Sequence, residues 1–224
     1  MQKRFFVVLV AVILTGVFAA CDKDSSDGGS SDGNGGGGGS ASVIEVKKVE
    51  NVYDDVATVK AVIGPYGNLY TCGTSKFEKN GFKINLSANV PEQYLLNSQV
   101  MEIFNDYGVA SDESALLEIA GIWAYDNKGE DLGDFYYRGE SEKFSYDAYY
   151  VYASKEFTAK GEANGGTIDC SFKKGWNILY YYADDKGEEY GMTTTKPAGA
   201  TFKWYYSSDA KSKSLRRVHE DRRK

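Results

Sequence analysis

Residues 43–208 read as an all-β domain, built as an antiparallel sandwich or a barrel. Three features predict it. Tyrosine and phenylalanine are abundant, 18 and 11 residues, against only three prolines in 224, and aromatic and β-branched side chains suit half-buried pleated strands. Apolar residues recur at alternate positions in short runs. Gly- and Asn-rich turns separate those runs at intervals of roughly ten residues, the spacing of sandwich and barrel strands.

Each element has its own pattern. Residues 43–52 form a short first strand. In the next run, Ala57, Val59, Ala61 and Ile63 share one face and Thr58 and Lys60 the other, before a turn at Gly64-Pro65-Tyr66-Gly67. Residues 69–88 make a hairpin about Asn80-Gly81, a favoured two-residue type I′ turn, which pairs Phe77 with Ile84 and Ser75 with Leu86. That register turns Cys72 away from Phe77, while Cys170 shares an inward face with Ile168 and Phe172. A Cys72–Cys170 disulfide then needs a bulge, and a packed, apolar Cys170 thiol is the favoured reading. Residues 89–114 are irregular, with helical fragments around 94–101 or 103–107.

Residues 115–125 and 131–137 flank a turn at 126–130. Strand-like runs follow at 143–154, 155–163 and 167–173, then ILYYYA, YGMTTTK and ATFKWYY. The turns starting at Asp126 and Asp184 match at five of eight positions, which shared turn chemistry explains as well as duplication does. Both are acid-rich, but Lys128 and Lys186 interrupt them and the spacing of a helix–loop–helix calcium site is absent.

The ends of the chain point to location. An apolar run, residues 5–18, follows Lys3 and Arg4 and ends in Ala19-Ala20-Cys21. It is shorter than the about 20 residues a transmembrane helix needs and has the layout of a cleaved signal peptide, residues 1–20. Phe18-Ala19-Ala20-Cys21 resembles a lipobox with Phe in place of the usual Leu, which implies lipid attachment at Cys21. Residues 21–42 then make a flexible Gly/Ser/Asp tether, and 209–224 a basic tail with few apolar residues, read as disordered. The acidic stretch Asp22–Asp27 looks like the export signal that carries lipoproteins of the Bacteroidetes to the outer face of the outer membrane.

Composition removes several chemistries. The single histidine, His219, lies in the tail, which argues against His-based zinc sites and Ser–His or Cys–His catalysis. The net charge is −6 although the tail is basic, so the body is acidic and nucleic acid is a poor partner. No catalytic residues, metal or cofactor are assigned.

The candidate ligand-binding residues are aromatic. Tyr136-Tyr137, Tyr149-Tyr150, Tyr180-Tyr181-Tyr182 and Tyr205-Tyr206 each sit in a strand-like run, where adjacent side chains point to opposite faces. Tyr137, Tyr149, Tyr181 and Tyr205 are the expected outward members, an amphipathic platform for a glycan or a partner protein. Trp123 and Trp204 fall on inward faces, whereas Trp176, beside Gly175, is expected to be partly exposed.

From 56 to 206 the order of motifs resembles a family of uncharacterised Bacteroidetes surface lipoproteins. The stretches that carry the likeness are KNGFKINL, AYDNKGEDLGDFYY, the KKGWN turn and TTTKPAGATFKWYY. The first segment, ATVKAVIG…YTCGTSKFEKNGFKINL, also resembles the opening hairpins of transthyretin-like or carboxypeptidase-regulatory-like sandwiches, and the sandwich expected is immunoglobulin-like or transthyretin-like. The expectation is an outer-membrane, lipid-anchored, non-enzymatic binding module. The alternative is a structural envelope or fimbrillin-like component, although no Arg stands between Arg4 and Arg138 for N-terminal trimming.

Overall fold

The computed structural model describes residues 42–208 apart from 53, 54, 66, 96–98 and 164. The expected signal peptide, Cys21, all but the last residue of the tether and the basic tail with His219 lie outside the described residues. In chain order the elements are β1 (Val43–Val46), β2 (Val49–Glu50), β3 (Thr58–Ile63), β4 (Tyr70–Lys76) and β5 (Phe82–Asn85). A 3-10 turn (Glu92–Tyr94) and α1 (Gln99–Asp106) follow, then β6 (Leu117–Ile119), β7 (Gly121–Tyr125), β8 (Asp131–Glu140), β9 (Phe144–Ala153) and β10 (Phe157–Ala163). The last elements are β11 (Gly166–Phe172), β12 (Gly175–Asp184), β13 (Tyr190–Thr193) and β14 (Thr201–Ser208).

One large sheet takes up 12 of these strands, with the main path β10-β11-β13-β12-β9-β8-β7-β3-β4, and β1 and β5 form a second, two-stranded sheet. The pairing is antiparallel except for β11–β13 and β14–β2. The large sheet forks at β8, which pairs β14 along its length, β7 over Asp131–Phe135 and β9 over Tyr137–Glu140. The incoming chain forks too: β6 pairs β9 while β7 pairs β3 and β8. Between them Ala120 bonds through its N–H to the Tyr150 carbonyl. Among the described residues no ladder joins β4 to β10, so the sheet is not closed into a barrel.

The break at Ala120 resets the alternation of 115–125 and corrects the reading of Trp123. Ile122 and Ala124 point into the core, whereas Trp123 is half-buried on the opposite face. The helix also differs in detail, since α1 bridges the two fragments expected on either side of residue 102. It ends at Gly108, whose φ of +62° suits a helix C-cap.

The hairpin about residue 80 is present, but its turn is shifted by one residue. Lys79 and Asn80 carry the positive φ values of 51° and 61°, and Glu78 faces Gly81. A β-carbon on Gly81 would lie 2.3 Å from the Val46 carbonyl oxygen, so the glycine serves the close passage of β1. Asn80 meanwhile donates its side-chain N–H to the Val49 carbonyl at 2.7 Å. The arms then part: β4 joins β3 in the large sheet and β5 joins β1 in the small one.

Cys72 is a further correction, because it points inward and is buried. A register shift in the β3–β4 pairing opposite Ala61/Val62 leaves Cys72 unpaired as a bulge and turns its thiol into the core. Cys72 and Cys170 are both free and buried, in keeping with the packed-thiol reading of Cys170. Burial pushes each thiol up to about 12.

The small sheet covers one face of the large one. Ile44, Val46, Phe82 and Ile84 pack there with Val59, Ala61, Ile63, Ile122, Ala124, Phe135, Trp204 and Tyr206. Phe82 lies 5.2 Å from Phe135 and 5.6 Å, edge-on, from Trp204, ring centre to centre. α1 covers part of the opposite face, with Phe104 against Phe172 of β11. Each fully buried side chain of this size contributes about 1.5–3 kcal/mol, so both layers are held by apolar burial. The cover is incomplete on the first face, where β9, β12 and β14 carry more rings.

Candidate functional site

The structure does not gather the expected aromatic platform on one surface. Trp176 is the clearest correction: it is 1% exposed and donates its indole N–H to the Ser87 carbonyl at 2.8 Å. The segment after β5 folds over this end of β9 and β12, closing a position that the neighbouring Gly175 turn had suggested was open. Tyr137 shares the core-side face with Trp204, its ring stacked at 5.0 Å and 16°. Its neighbour Tyr136 is therefore the member that faces the other way. Tyr149, Tyr181 and Tyr205 do lie on that other face by register.

They do not make a free apolar surface there. Tyr205 stacks on Tyr136 at 5.7 Å, and Arg138 lies over the Tyr136 ring and donates from Nε to Asp147 Oδ1 at 2.8 Å. Burial holds the Asp147 carboxyl above its ordinary range despite that partner. Tyr181 is 5% exposed, and its hydroxyl is buried without a hydrogen-bond partner.

A concave site lies on the core-side face, over β9, β11, β12 and β13. It is an open cleft of about 480 Å³ lined by Phe144, Tyr146, Tyr182, Thr167, Thr193 and Thr195, with Glu188, Glu189, Lys196 and Pro197 among its rim residues. Its floor depends on a glycine. A β-carbon on Gly191 would lie 2.5 Å from the Tyr182 hydroxyl oxygen and 2.7 Å from its Cζ, so the ring lies across the bare backbone of β13. Phe144 stands nearly perpendicular to Tyr182, at 5.2 Å and 69°. Tyr146 is buried beside both rings, and the Tyr182 hydroxyl hydrogen-bonds with Thr167.

The result is an apolar corner edged with hydroxyls. Burial raises the Tyr182 hydroxyl above the ordinary tyrosine range, so it is neutral at physiological pH. The Lys143–Glu189 ion pair on the rim is solvent-exposed on both sides and is worth little to stability.

One cluster away from the cleft combines a hydroxyl, an amine and a carboxylate. Ser114, Lys155 and Asp112 are close together: Lys155 Nζ lies 2.9 Å from Asp112 Oδ2 and donates to Ser114 Oγ at 2.6 Å. A lysine base must be neutral to take the serine proton, whereas this one faces a carboxylate lowered to about 2 by its hydrogen bonds from Ser114 and Lys155. The trio ties the loop after α1 to the β9–β10 turn. The Asp126 and Asp184 carboxylates accept backbone N–H groups of their own turns, from Lys128 and Glu130 and from Glu188 and Glu189.

Sequence reading missed the cleft residues Phe144, Tyr146 and Tyr182. Their period-two placement was legible, but which strands become neighbours was not. Comparison with protein-family models, curated proteins and solved structures returned no match.

Proposed function

We propose that this chain is a lipid-anchored envelope protein, a member of the Bacteroidetes surface-lipoprotein family its sequence resembles, that binds glycans without transforming them. The lipobox-like Phe18–Cys21, the acidic Asp22–Asp27 and the Gly/Ser tether support display at the cell surface. The small sheet packed over β3, β7, β8 and β14 supports a sandwich-derived fold.

The observation that carries the binding reading is the corner formed by Tyr182 and Phe144. A sugar ring has apolar C–H faces and hydroxyl edges, so it stacks on an aromatic face while its edges meet hydroxyl donors and acceptors. Tyr182, Phe144, Thr167, Thr193 and Thr195 offer that combination, and the largely preformed cleft limits the ordering cost of binding.

The test is a glycan array probed with the purified full chain, followed by titration of each hit against Tyr182→Ala and Phe144→Ala. At least a tenfold loss of affinity in both variants, with unchanged circular dichroism, is expected. Hits that bind both variants as tightly as the parent place the interaction elsewhere and refute this reading. Protease shaving of intact cells tests the location, and a protein protected until lysis refutes surface display.

A further inference from the structure

The cleft is one end of a longer row. Following the register across the large sheet, Phe202 faces Gly139, Gly139 faces Tyr146, Tyr146 faces Tyr182, Tyr182 faces Gly191 and Gly191 faces Thr167. These six residues lie side by side on one face of β14, β8, β9, β12, β13 and β11. Five strand spacings make the row about 24 Å long.

Its two glycines do the same job. A β-carbon on Gly139 would lie 2.5–2.7 Å from three atoms of the Phe202 ring, so Phe202 lies across Gly139 as Tyr182 lies across Gly191. Aromatic rings laid over glycine on a neighbouring strand are a known device of sheet design. Here it occurs twice in one row, and in both places it lays a ring along the sheet. Phe202 and Tyr182 each keep part of their surface in solvent, while Tyr146 is buried between them, 5.8 Å from Phe202 and 6.2 Å from Tyr182. The six residues of the row carry no charged side chain, and at its cleft end stand Glu188, Glu189 and Lys196.

We infer that the row is an extended subsite, and that the ligand is a linear, neutral oligosaccharide lying across the strands from Phe202 to the Tyr182 cleft. This rests on the glycan reading and adds the ligand's shape and charge. Rings spaced along the row fit successive sugar units, whereas a terminal monosaccharide needs only the Tyr182 corner. A row without charged side chains that ends beside two glutamates and one lysine does not favour an acidic polymer. A peptide fits less well: peptides that add to sheets use a free edge for main-chain hydrogen bonds, and from Gly139 to Thr167 the strands of this row are paired on both sides, with an open side only at Phe202 of β14.

The experiment is calorimetric titration of the full chain with malto-, cello-, manno- and xylo-oligosaccharide series of one to six units. In at least one series, affinity is expected to rise with each added unit to about five, for a total gain of at least 30-fold. Phe202→Ala removes the gain beyond two units and leaves the shortest ligand's affinity unchanged, whereas Tyr182→Ala weakens every length. Phe202→Leu retains apolar bulk without the ring face and guards against misfolding, and it gives the same length-selective loss. Affinity that saturates at one or two units, or a Phe202 effect equal at all lengths, overturns the extended subsite while leaving the glycan reading intact. Binding of acidic glycans or peptides in preference to every neutral series overturns the inference about ligand class.

Discussion

Replacing Trp176 by Phe separates a ligand platform from a core anchor. In the structure the indole N–H donates to the Ser87 carbonyl at 2.8 Å. The ring also meets Tyr152 edge-on at 5.3 Å, and the Tyr152 hydroxyl donates to the adjacent Ala88 carbonyl at 3.3 Å. Two aromatic side chains thus hold neighbouring carbonyls of one segment over the end of β9 and β12. Trp176→Phe keeps an aromatic edge against Tyr152 but removes the donor. A carbonyl left without its partner costs about 1–3 kcal/mol, and the lost apolar atoms add roughly 1 kcal/mol at about 0.8 per CH₂ equivalent.

A loss of about 2–4 kcal/mol follows, which moves the urea midpoint down by roughly 1–2 M for an m-value near 2 kcal/mol/M. Tyr152→Phe removes the longer bond and costs less. The double variant departs from additivity by about 0.5 kcal/mol or more, because both residues hold the same segment. Urea titrations followed by circular dichroism measure all three, and glycan titration of the folded variants completes the comparison. A midpoint within about 0.3 M of the parent, with weakened ligand binding, refutes the core-anchor reasoning and restores Trp176 as a binding residue.

Other outcomes follow from single contacts. Gly81→Ala places a β-carbon 2.3 Å from the Val46 carbonyl oxygen. It is expected to cost about 1–3 kcal/mol, as overpacking does, and hydrogen exchange should show the loss concentrated in β1 and β5. Cys72 and Cys170 are buried, with thiols pushed up to about 12. Both are expected to resist an aromatic disulfide reagent at pH 8 in the native protein and to react when it is unfolded in urea. Asp112 is lowered to about 2 by its hydrogen bonds from Ser114 and Lys155, against about 3.9 in the unfolded chain. Its stabilising contribution is present above pH 4 and lost as the pH falls towards 2. Stability measured across that window therefore falls less steeply in Asp112→Asn than in the parent.

What the sequence by itself determined is local. Val59, Ala61 and Ile63 point inward because a strand alternates faces, and Trp204 and Tyr206 do so for the same reason. Turn positions were readable from Gly, Asn and Asp, since few residues tolerate those backbone angles or bind the turn amides so readily. Alternation carries no information across an interruption, however. Ala120 lets one run serve two neighbouring strands, and Trp123 therefore faces the side opposite to the one its spacing suggested. The bulge at Cys72 reverses a side chain in the same way.

Only the tertiary structure decided which strands lie together, and with that the site. Trp176 is buried because a segment about 90 residues earlier folds over it, a contact that leaves no trace in the local pattern around Gly175. Gly139 and Gly191 look like ordinary strand glycines until Phe202 and Tyr182 are brought beside them. Their meaning is a long-range one: a missing side chain on one strand makes room for a ring from the next. That is why Phe144, Tyr182 and Phe202 lie on one face of the sheet although they are spread over residues 144–202.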